Sequence, residues 1–342
     1  MGRKKKTKNK LKDIDFIKLT VLVVLFGIVI LAVLSPQSLS EIESTFGIKI
    51  SNIIDYEASL EKSNVYENVV DVETVEATEL VIHEDKLNIF FLDVGQADSS
   101  LIIYNDKTML IDAGNVNDGD KIVDCIKGLG VKKLDYVIGT HIHEDHVGGM
   151  YKVVDAIKID KIYLPYNDKS TTSYYKKLLR SLDAKNMSIE EAVVGDIIKF
   201  ADGVDVEIMA VDNDMPEDEN DASIVVEVDY KDMEYLFMGD ATTKVESGRK
   251  WDDIDILRVG HHGSNTSSSQ VFLDEIKPEI SIISVGKENS YGLPKDKIIK
   301  RLNSIGTNIY RTDKSGTIQL VSDGSTNKIY EVDVSFDGNI EE

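Results

Sequence analysis

Hydrophobic and polar positions divide the chain into two parts with different patterns. After a basic start at residues 1–15, residues 16–35 form an apolar run whose single charge is Lys18. A run of this kind, with no polar face, is typical of a segment that enters a membrane. Residues 36–85 are rich in acidic side chains and show no strong helical period, which predicts an acidic linker. From residue 86 to residue 342, short apolar strands alternate with turn signals, and we expect one domain there.

The pattern after residue 86 predicts interleaved strands and helices. Strands are expected in NIFFLDVG, in SSLIIYNDKTMLIDAG with its turn at residues 104–107, in LDYVIGTH and KIYLP, and at residues 204–211, 222–229, 234–238, 254–259 and 279–285. Helices are expected at residues 120–129, 174–182, 243–251 and 295–304. Because strands outnumber helices and the two alternate, the pattern favours an α/β domain whose sheets are covered by helices.

Charge separates the two parts further. The formal net charge is -22, while residues 1–36 carry eight basic side chains against Asp13 and Asp15, so the remaining 306 residues carry -28. Such an acidic surface repels phosphate backbones, and we expect no stable complex with nucleic acid. The basic start predicts a cytoplasmic tail at residues 1–15, with everything after residue 36 exported.

Two interpretations of residues 16–35 stay open. An uncleaved anchor gives a single-pass membrane protein with its domain outside the cell, and it is the interpretation we favour. A signal segment cleaved near residues 38–40 gives a secreted protein instead. In the first case the membrane is itself a partner of the chain.

Histidine, and not cysteine, indicates metal chemistry. Cys125 is the single cysteine, which excludes an internal disulfide and a thiolate zinc cluster. Five of the six histidines lie in two clusters, THIHEDHVGG and RVGHHGS, each directly after an apolar strand. In the first cluster, imidazoles two residues apart can converge on one cation, while Asp145 and His146 face a second. Between the clusters, Asp240 follows a strand and a glycine, where a carboxylate can bridge two cations.

These motifs, in this order, resemble the metallo-β-lactamase fold superfamily, whose HxHxDH signature is highly specific. More narrowly, FLDVGQADSSLII, NDASIVV, FMGDA, DILRVGHHGSNTS and SVGKENSYGLP are similar to the metallo-β-lactamase domain of the ComEC-type competence proteins and their secreted stand-alone relatives. The resemblance covers residues 86 to about 320. It implies an αββα sandwich, a dinuclear metal site at one edge and hydrolysis as the reaction.

The resemblance also implies a set of ligands. The first metal is expected at His141 and His143, the second at Asp145 and His146, with Asp240 bridging. One histidine of the pair His261 and His262 is expected to complete the second site. The catalytic carboxylates are then Asp145 and Asp240, which accept the proton of the attacking water. Supporting roles that orient ligands are implied for Asp93, Asp98 and Asp112.

Three positions depart from the pattern of these families. The mildest is Ala97, which stands where glycine is usual. The usual third-motif histidine is missing, and Asn220 or Asp221 is expected to approach the first metal instead. Leu293 stands where a Tyr-Gly-His-Pro segment usually has its histidine, which puts the transfer of the substrate in doubt.

The function that these features favour is an exported, metal-dependent phosphodiesterase or phosphoesterase. Two divalent ions, zinc first and manganese or iron as alternatives, lower the pKa of a bridging water to about 7 and polarise the substrate. The expected substrate is a phosphoester-bearing molecule. Two alternatives stay open: a hydrolase of a carbon ester, thioester or lactam, and a non-catalytic metal-containing protein of the envelope.

Overall fold

The computed structural model describes residues 72–77, 79–165, 170–214 and 216–332. The predicted basic tail at 1–15, the anchor or signal segment at 16–35 and most of the linker lie outside these residues. Within them, none of the helices combines the length and the apolar character that crossing a membrane requires.

Sixteen strands occur in the described part of the chain. They are β1 (Thr74–Ala77), β2 (Leu87–Phe91), β3 (Ser100–Tyr104), β4 (Lys107–Ile111), β5 (Lys133–Ile138), β6 (Lys158–Tyr163), β7 (Ile189–Glu190), β8 (Ile197–Ala201), β9 (Val204–Ala210), β10 (Val225–Tyr230), β11 (Met233–Phe237), β12 (Ile256–Arg258), β13 (Ile280–Ile283), β14 (Asn308–Arg311), β15 (Thr317–Ser322) and β16 (Asn327–Val332). One sheet has the order β1-β16-β15-β2-β3-β4-β5-β6-β7, and the other β14-β13-β12-β11-β10-β9-β8.

Eight α-helices accompany these strands in the same described ranges. They are α1 (Gly119–Gly128), α2 (Glu144–Val147), α3 (Met150–Ala156), α4 (Ser173–Ala184), α5 (Thr243–Ser247), α6 (Gln270–Ile276), α7 (Asp296–Ser304) and α8 (Thr312–Ser315). Two 3-10 turns, Glu219–Ala222 and Gly260–Gly263, lie beside the candidate site described below.

Three hydrophobic cores define the layers of the fold. Strand β2 shows how: Leu87, Ile89 and Phe91 enter a core shared by the two sheets, while Phe90 faces the opposite side with residues of α1, α3 and α4. A third core covers the outer face of the second sheet with side chains of α6 and α7. The order of layers is therefore helix, sheet, sheet, helix, which is the α/β arrangement expected from the sequence.

The predicted elements agree with this structure in their centres and differ at some ends. The hairpin at residues 104–107 joins β3 to β4, and α1 and α7 begin within one residue of the expected positions. The helix expected at residues 243–251 ends at Ser247, because Gly248 caps it and Trp251 turns back to donate a hydrogen bond to the Glu246 carbonyl at 2.7 Å.

The sheet begins before residue 86, inside the segment expected to be linker. Strand β1 pairs in parallel with β16, with Thr74 opposite Ile329. The physical reason is that β16 would otherwise be an edge strand with unpaired backbone groups. Residues 72–77 and 79–85 thus belong to the folded domain and not to a spacer.

Parallel pairing places the candidate chemistry at one edge of the molecule. Strands β4, β5 and β6 run parallel in the first sheet, and β11, β12 and β13 do so in the second. The loops after β4, β5, β11 and β12 carry Asp112, the segment 140–146, Asp240 and the pair 261–262. Ligand sites of α/β sheets lie at the carboxyl ends of parallel strands, and this edge fits that rule.

Candidate metal centre

Close approach of the two sheets brings the loops after β5 and β11 together. Gly239 has a positive φ of +52°, and a Cβ atom there would lie 2.9 Å from the Cβ of Thr140. The Ile224 amide also donates to the Thr140 carbonyl at 2.8 Å. Glycine is therefore required at position 239 both for its conformation and for space. The consequence is that Asp240 stands against the histidines of the other sheet.

The Asp240 carboxylate lies at the centre of the histidines, with its two oxygens facing different imidazoles. Its Oδ1 lies 3.2 Å from His146 Nε2 and 3.7 Å from His262 Nε2. Its Oδ2 lies 3.4 Å from His261 Nε2 and 4.0 Å from His141 Nε2. A carboxylate in this position can bind one cation with each oxygen.

One group of four side chains forms a candidate cation site on the Oδ1 side. Ligand atoms of Asp145, His146, Asp240 and His262 all lie within 4.8 Å of one another. Three of these atoms, His146 Nε2, Asp240 Oδ1 and His262 Nε2, are buried and make no hydrogen bond. Buried polar atoms are rarely left without a partner, and imidazole nitrogen with carboxylate oxygen is a donor set that zinc accepts. These residues therefore fit a divalent cation.

Histidines 141 and 143 lie on the other side of the centre. Their facing nitrogens, His141 Nε2 and His143 Nδ1, are 2.9 Å apart. The outer nitrogen of His143, Nε2, lies 3.2 Å from a Glu219 carboxylate oxygen. At a separation of 2.9 Å the two imidazoles share a hydrogen bond, and neither belongs to the group of four described above. Their role as ligands of a first metal stays a prediction.

The remaining imidazoles are oriented by hydrogen bonds at the nitrogen that faces away from Asp240. His146 Nδ1 donates to Asp112 Oδ2 at 2.8 Å, and His262 Nδ1 donates to the Ser284 carbonyl at 2.9 Å. His141 Nδ1 lies 3.2 Å from the Thr140 hydroxyl. Since that hydroxyl donates to Asp112 at 2.8 Å, its oxygen accepts from His141. In each case the hydrogen bond holds the outer nitrogen and turns the other nitrogen toward the centre, as in metal-binding histidines.

The three aspartates expected to support the ligands behave differently. Asp112 is buried, has φ of +60°, and accepts hydrogen bonds from both the amide and the hydroxyl of Thr140. Asp98 pairs with the buried Arg258, which also donates to the Gly239 carbonyl at 2.8 Å and so fixes the residue before Asp240. Asp93 accepts from the Gly95 amide at 3.1 Å and orders a turn outside the histidine cluster.

The two third-motif candidates, Asn220 and Asp221, differ in their hydrogen bonds. Asp221 uses both oxygens elsewhere: it accepts from the Thr242 hydroxyl at 2.5 Å and from Lys244 Nζ at 2.9 Å. Asn220 Oδ1 is buried and makes no hydrogen bond. Asp221 thus links the 3-10 turn Glu219–Ala222 to the N-terminal end of α5. The role of Asn220 as a metal ligand stays a prediction.

Sequence reasoning missed Glu219, Arg258 and Thr266, which all contact the site. Glu219 lies in an acidic run that is typical of a solvated loop, so its pattern carries no signal. Arg258 did carry one, because an arginine in an apolar strand needs a buried partner. Leu293, which stands at the usual histidine position, packs against the outer core of the second sheet.

Burial disfavours the charged forms of Asp240 and His146, and the opposite charges of their neighbours outweigh this effect on their pKa values. Burial alone would raise the pKa of Asp240, but the positive charges of His146 and His262 hold it well below its ordinary value. Burial also disfavours charge on His146, yet Asp240 and Asp112 raise its pKa well above the usual range. A metal cation and the His146 proton therefore compete for the same negative charge. Burial lowers the pKa of His141 and of His261, which keeps both neutral.

The fold and this centre define a class of protein. Residues 92–287 match the family described as the metallo-beta-lactamase superfamily, and the chain belongs to that superfamily of metal-dependent hydrolases.

Three relatives are proteins of bacterial competence or recombination. The chain is 28% identical over 250 residues to ComE operon protein 3 of Bacillus subtilis (strain 168), covering 67% of this chain and 32% of that protein. It is 30% identical over 244 residues to Competence protein ComA of Neisseria gonorrhoeae, covering 70% and 33%. It is 28% identical over 236 residues to Recombination protein 2 of Haemophilus influenzae, covering 67% and 28%. The chain thus spans about a third of the length of these relatives, and the expected resemblance to ComEC-type domains is confirmed.

Proposed function

We propose that this chain is a dinuclear metal-dependent phosphoesterase, with a phosphodiester as its preferred substrate. The observation that carries the proposal is the Asp240 carboxylate, whose two oxygens face two separate sets of imidazoles. Two cations that share one carboxylate are suited to in-line displacement at phosphorus, because they stabilise both the attacking and the leaving oxygen. Zinc is the expected metal, with manganese or iron as alternatives.

Each residue of the centre has a proposed role in binding the metals or in the reaction. His141 and His143 would hold one cation, Asp145 and His146 with His262 the other, and Asp240 both. The bound cations supply Lewis acidity and a hydroxide at neutral pH. Asp145 is half-buried, and despite this burial His262 and His146 lower the pKa of its carboxyl group. Asp145 is therefore ionised at neutral pH, as a ligand of a cation must be.

A substrate panel tests the proposal against its alternatives. The full chain is assayed on a chromogenic phosphodiester, a phosphocholine ester, a thioester and a cephalosporin, with metal content measured in parallel. We expect hydrolysis of the phosphate esters, loss of that activity with a chelator, and recovery on adding zinc, manganese or iron. The variant Asp145→Asn should lose activity and hold the second metal more weakly, while the exposed Glu191→Gln serves as the matched control.

Other results of the substrate panel would favour a different function. Turnover of the thioester or the cephalosporin alone would favour a carbon ester, thioester or lactam hydrolase. Two bound metals with no turnover of any substrate would favour a non-catalytic metal-containing envelope protein. The missing third-motif histidine already argues against a true β-lactamase, because lactamase zinc sites usually require it.

We further propose that the domain works outside the cell, anchored through residues 16–35 or released after cleavage. The support is the basic start, the apolar run and the acidic remainder of the chain. Protease added to intact cells should remove the domain and leave the tail at residues 1–15. Complete protection in cells that stay intact would contradict this topology.

A further inference from the structure

We propose that His261 is a metal ligand in its own right, bound to the first cation, so that the pair His261 and His262 serves both metals. The sequence motif led us to expect only one ligand from this pair. The inference rests on the proposed dinuclear centre and assigns the position that the missing third-motif histidine leaves open.

The two histidines of the pair face different oxygens of Asp240. His262 Nε2 lies 3.7 Å from Oδ1 and 3.4 Å from Asp145 Oδ2, on the side of His146. His261 Nε2 lies 3.4 Å from Oδ2, the oxygen that also faces His141. His261 is therefore placed with the first set of imidazoles and not with the second.

Hydrogen bonds leave the His261 nitrogen that faces Asp240 free to bind a metal. Its other nitrogen, Nδ1, lies 2.8 Å from the Thr266 hydroxyl. That hydroxyl donates to Ser264 Oγ at 3.1 Å, so its oxygen accepts from His261 Nδ1. The proton thus resides on Nδ1, and Nε2 carries the lone pair. The other imidazoles of the centre are oriented in the same way, each by a partner on its outer nitrogen.

The backbone explains how two adjacent residues reach the same centre. In an extended strand their side chains would point to opposite faces. Here both adopt left-handed conformations, with φ of 51° and 52°, a region that is uncommon for residues other than glycine and in which asparagine, aspartate and histidine are the most frequent of the others. The His261 amide donates to the Gly239 carbonyl at 3.0 Å, and the Ser264 amide donates to the His261 carbonyl at 2.8 Å. Strained backbone of this kind persists where the surroundings enforce it, often at functional sites.

The third-motif region does not supply the missing ligand through Asp221. Both oxygens of Asp221 are bound by Thr242 and Lys244. Asn220 is the competing candidate, since its Oδ1 is buried without a hydrogen bond. A test must therefore separate His261 from Asn220.

The experiment measures metal stoichiometry in the full chain, in the absence of substrate. Asparagine tolerates the left-handed conformation and is too short to reach the position of the imidazole Nε2, so His261→Asn and His262→Asn are the variants. After dialysis against limiting zinc, the wild type should hold about two ions and each single variant about one. The double variant His143→Ala/His261→Asn should still hold about one ion, because both changes affect the same site. The double variant His261→Asn/His262→Asn should hold close to none.

Cobalt substitution identifies which site each variant has lost. The visible absorption that remains in His261→Asn should match that in His143→Ala and differ from that in His262→Asn. Asn220→Ala should keep about two ions. Thermal unfolding of the metal-free forms shows whether each variant folds, and a variant that does not is replaced by the corresponding glutamine.

Three results would overturn the inference. His261→Asn that keeps two ions while losing activity would give His261 a role toward substrate only. Loss of the first ion in Asn220→Ala but not in His261→Asn would assign the position to Asn220. A double variant His143→Ala/His261→Asn with no metal would place His261 at the second site. A wild type that binds two ions but hydrolyses no phosphate ester would contradict the proposed function and leave this assignment standing.

Discussion

Single residues acquire their roles here through contacts that cross from one sheet to the other. Asp240 shows this most clearly: it belongs to the second sheet, yet His141 and His146 come from the first. Its burial would favour a neutral carboxyl group, and the neighbouring imidazoles reverse that preference. The residue is therefore both an electrostatic centre and a tie between the two halves of the fold.

Replacing Asp240 should weaken both metal sites together. Asp240→Ala removes the shared charge and both oxygens, so we expect the metal content to fall below one ion per chain and turnover to drop by at least about 100-fold. Asp240→Asn keeps the volume and one oxygen and should retain more metal than the alanine variant. Equilibrium dialysis and the phosphodiester assay make the comparison. Normal stoichiometry and rate in Asp240→Ala would refute the bridging role.

Asp112 should act on the second metal without touching it. It accepts from His146 Nδ1 and holds the tautomer whose Nε2 faces Asp240. In Asp112→Asn we expect affinity for the second ion to fall by about 10- to 100-fold, with the first ion little affected. Competition with a chromophoric chelator measures the two affinities separately. Equal losses at both sites would show a general structural defect instead.

The residue types of the centre could be predicted from sequence, but their partners could not. His141, His143, Asp145 and His146 lie within six residues, so the motif itself brings them together. Glu219 reaches His143 only because the turn at residues 219–222 folds over the strand ends. Local pattern carries no information about such a contact, since it depends on how two sheets approach each other.

At the level of secondary structure, strands made of mostly apolar runs were predicted, whereas β15 was not. β15 has the sequence TIQLVS, in which half of the positions are polar, yet all six are buried. Its Gln319 Nε2 donates to the Val81 carbonyl at 2.6 Å, which makes this burial tolerable. Helices α2 and α3 were missed because four and seven residues are too few for a helical period.

Strand pairing between β9 and β10 creates a pH-dependent weakness. Glu227 lies directly opposite Glu207, and Asp229 opposite Asp205. Burial, together with Asp229 and Glu207, raises the pKa of Glu227 from 4.5 to about 7. Between these values the folded state binds more protons than the unfolded state, so the free energy of unfolding falls as the pH rises.

Glu227→Gln should remove this dependence. Because the side chain is partly exposed, solvent screening reduces the effect, and we expect the variant to be more stable than the wild type by about 1 kcal/mol at pH 8 and nearly equal to it at pH 4. Urea unfolding at the two pH values gives the difference, with Glu191→Gln as the exposed control. An equal change at both pH values would mean that ionisation of Glu227 is not the cause.

At the scale of the whole molecule, the domain depends on residues that composition assigned to a spacer. Ile329 donates its amide to the Glu73 carbonyl at 3.0 Å, and Lys328 pairs with the Glu73 carboxylate at 2.6 Å. Further along, the His83 ring stacks on Tyr330 with centroids 5.2 Å apart. The sequence of this acidic, aperiodic segment does not indicate such pairing. The reason is that strand formation at a sheet edge depends on contacts with the neighbouring strand more than on the segment's own pattern.

Removing the residues before 86 should therefore lower the stability of the domain without changing the number of metal ions that it binds. A fragment 86–342 lacks β1, leaves β16 as an open edge, and deprives the buried Gln319 amide of the Val81 carbonyl. Gln319 Nε2 keeps its hydrogen bond to Asn88 Oδ1 at 3.3 Å, but losing one partner of a buried amide costs about 1–3 kcal/mol, which corresponds to a fall in Tm of several degrees for a domain of this size. A fragment 79–342 keeps Val81 and His83 and should fall between 86–342 and a fragment 68–342. Because β16, β15, β2 and β3 separate β1 from β4, all three should bind the same number of metal ions. Calorimetry and metal analysis of the three fragments decide the matter, and equal melting temperatures would show that the upstream strand contributes nothing to the fold.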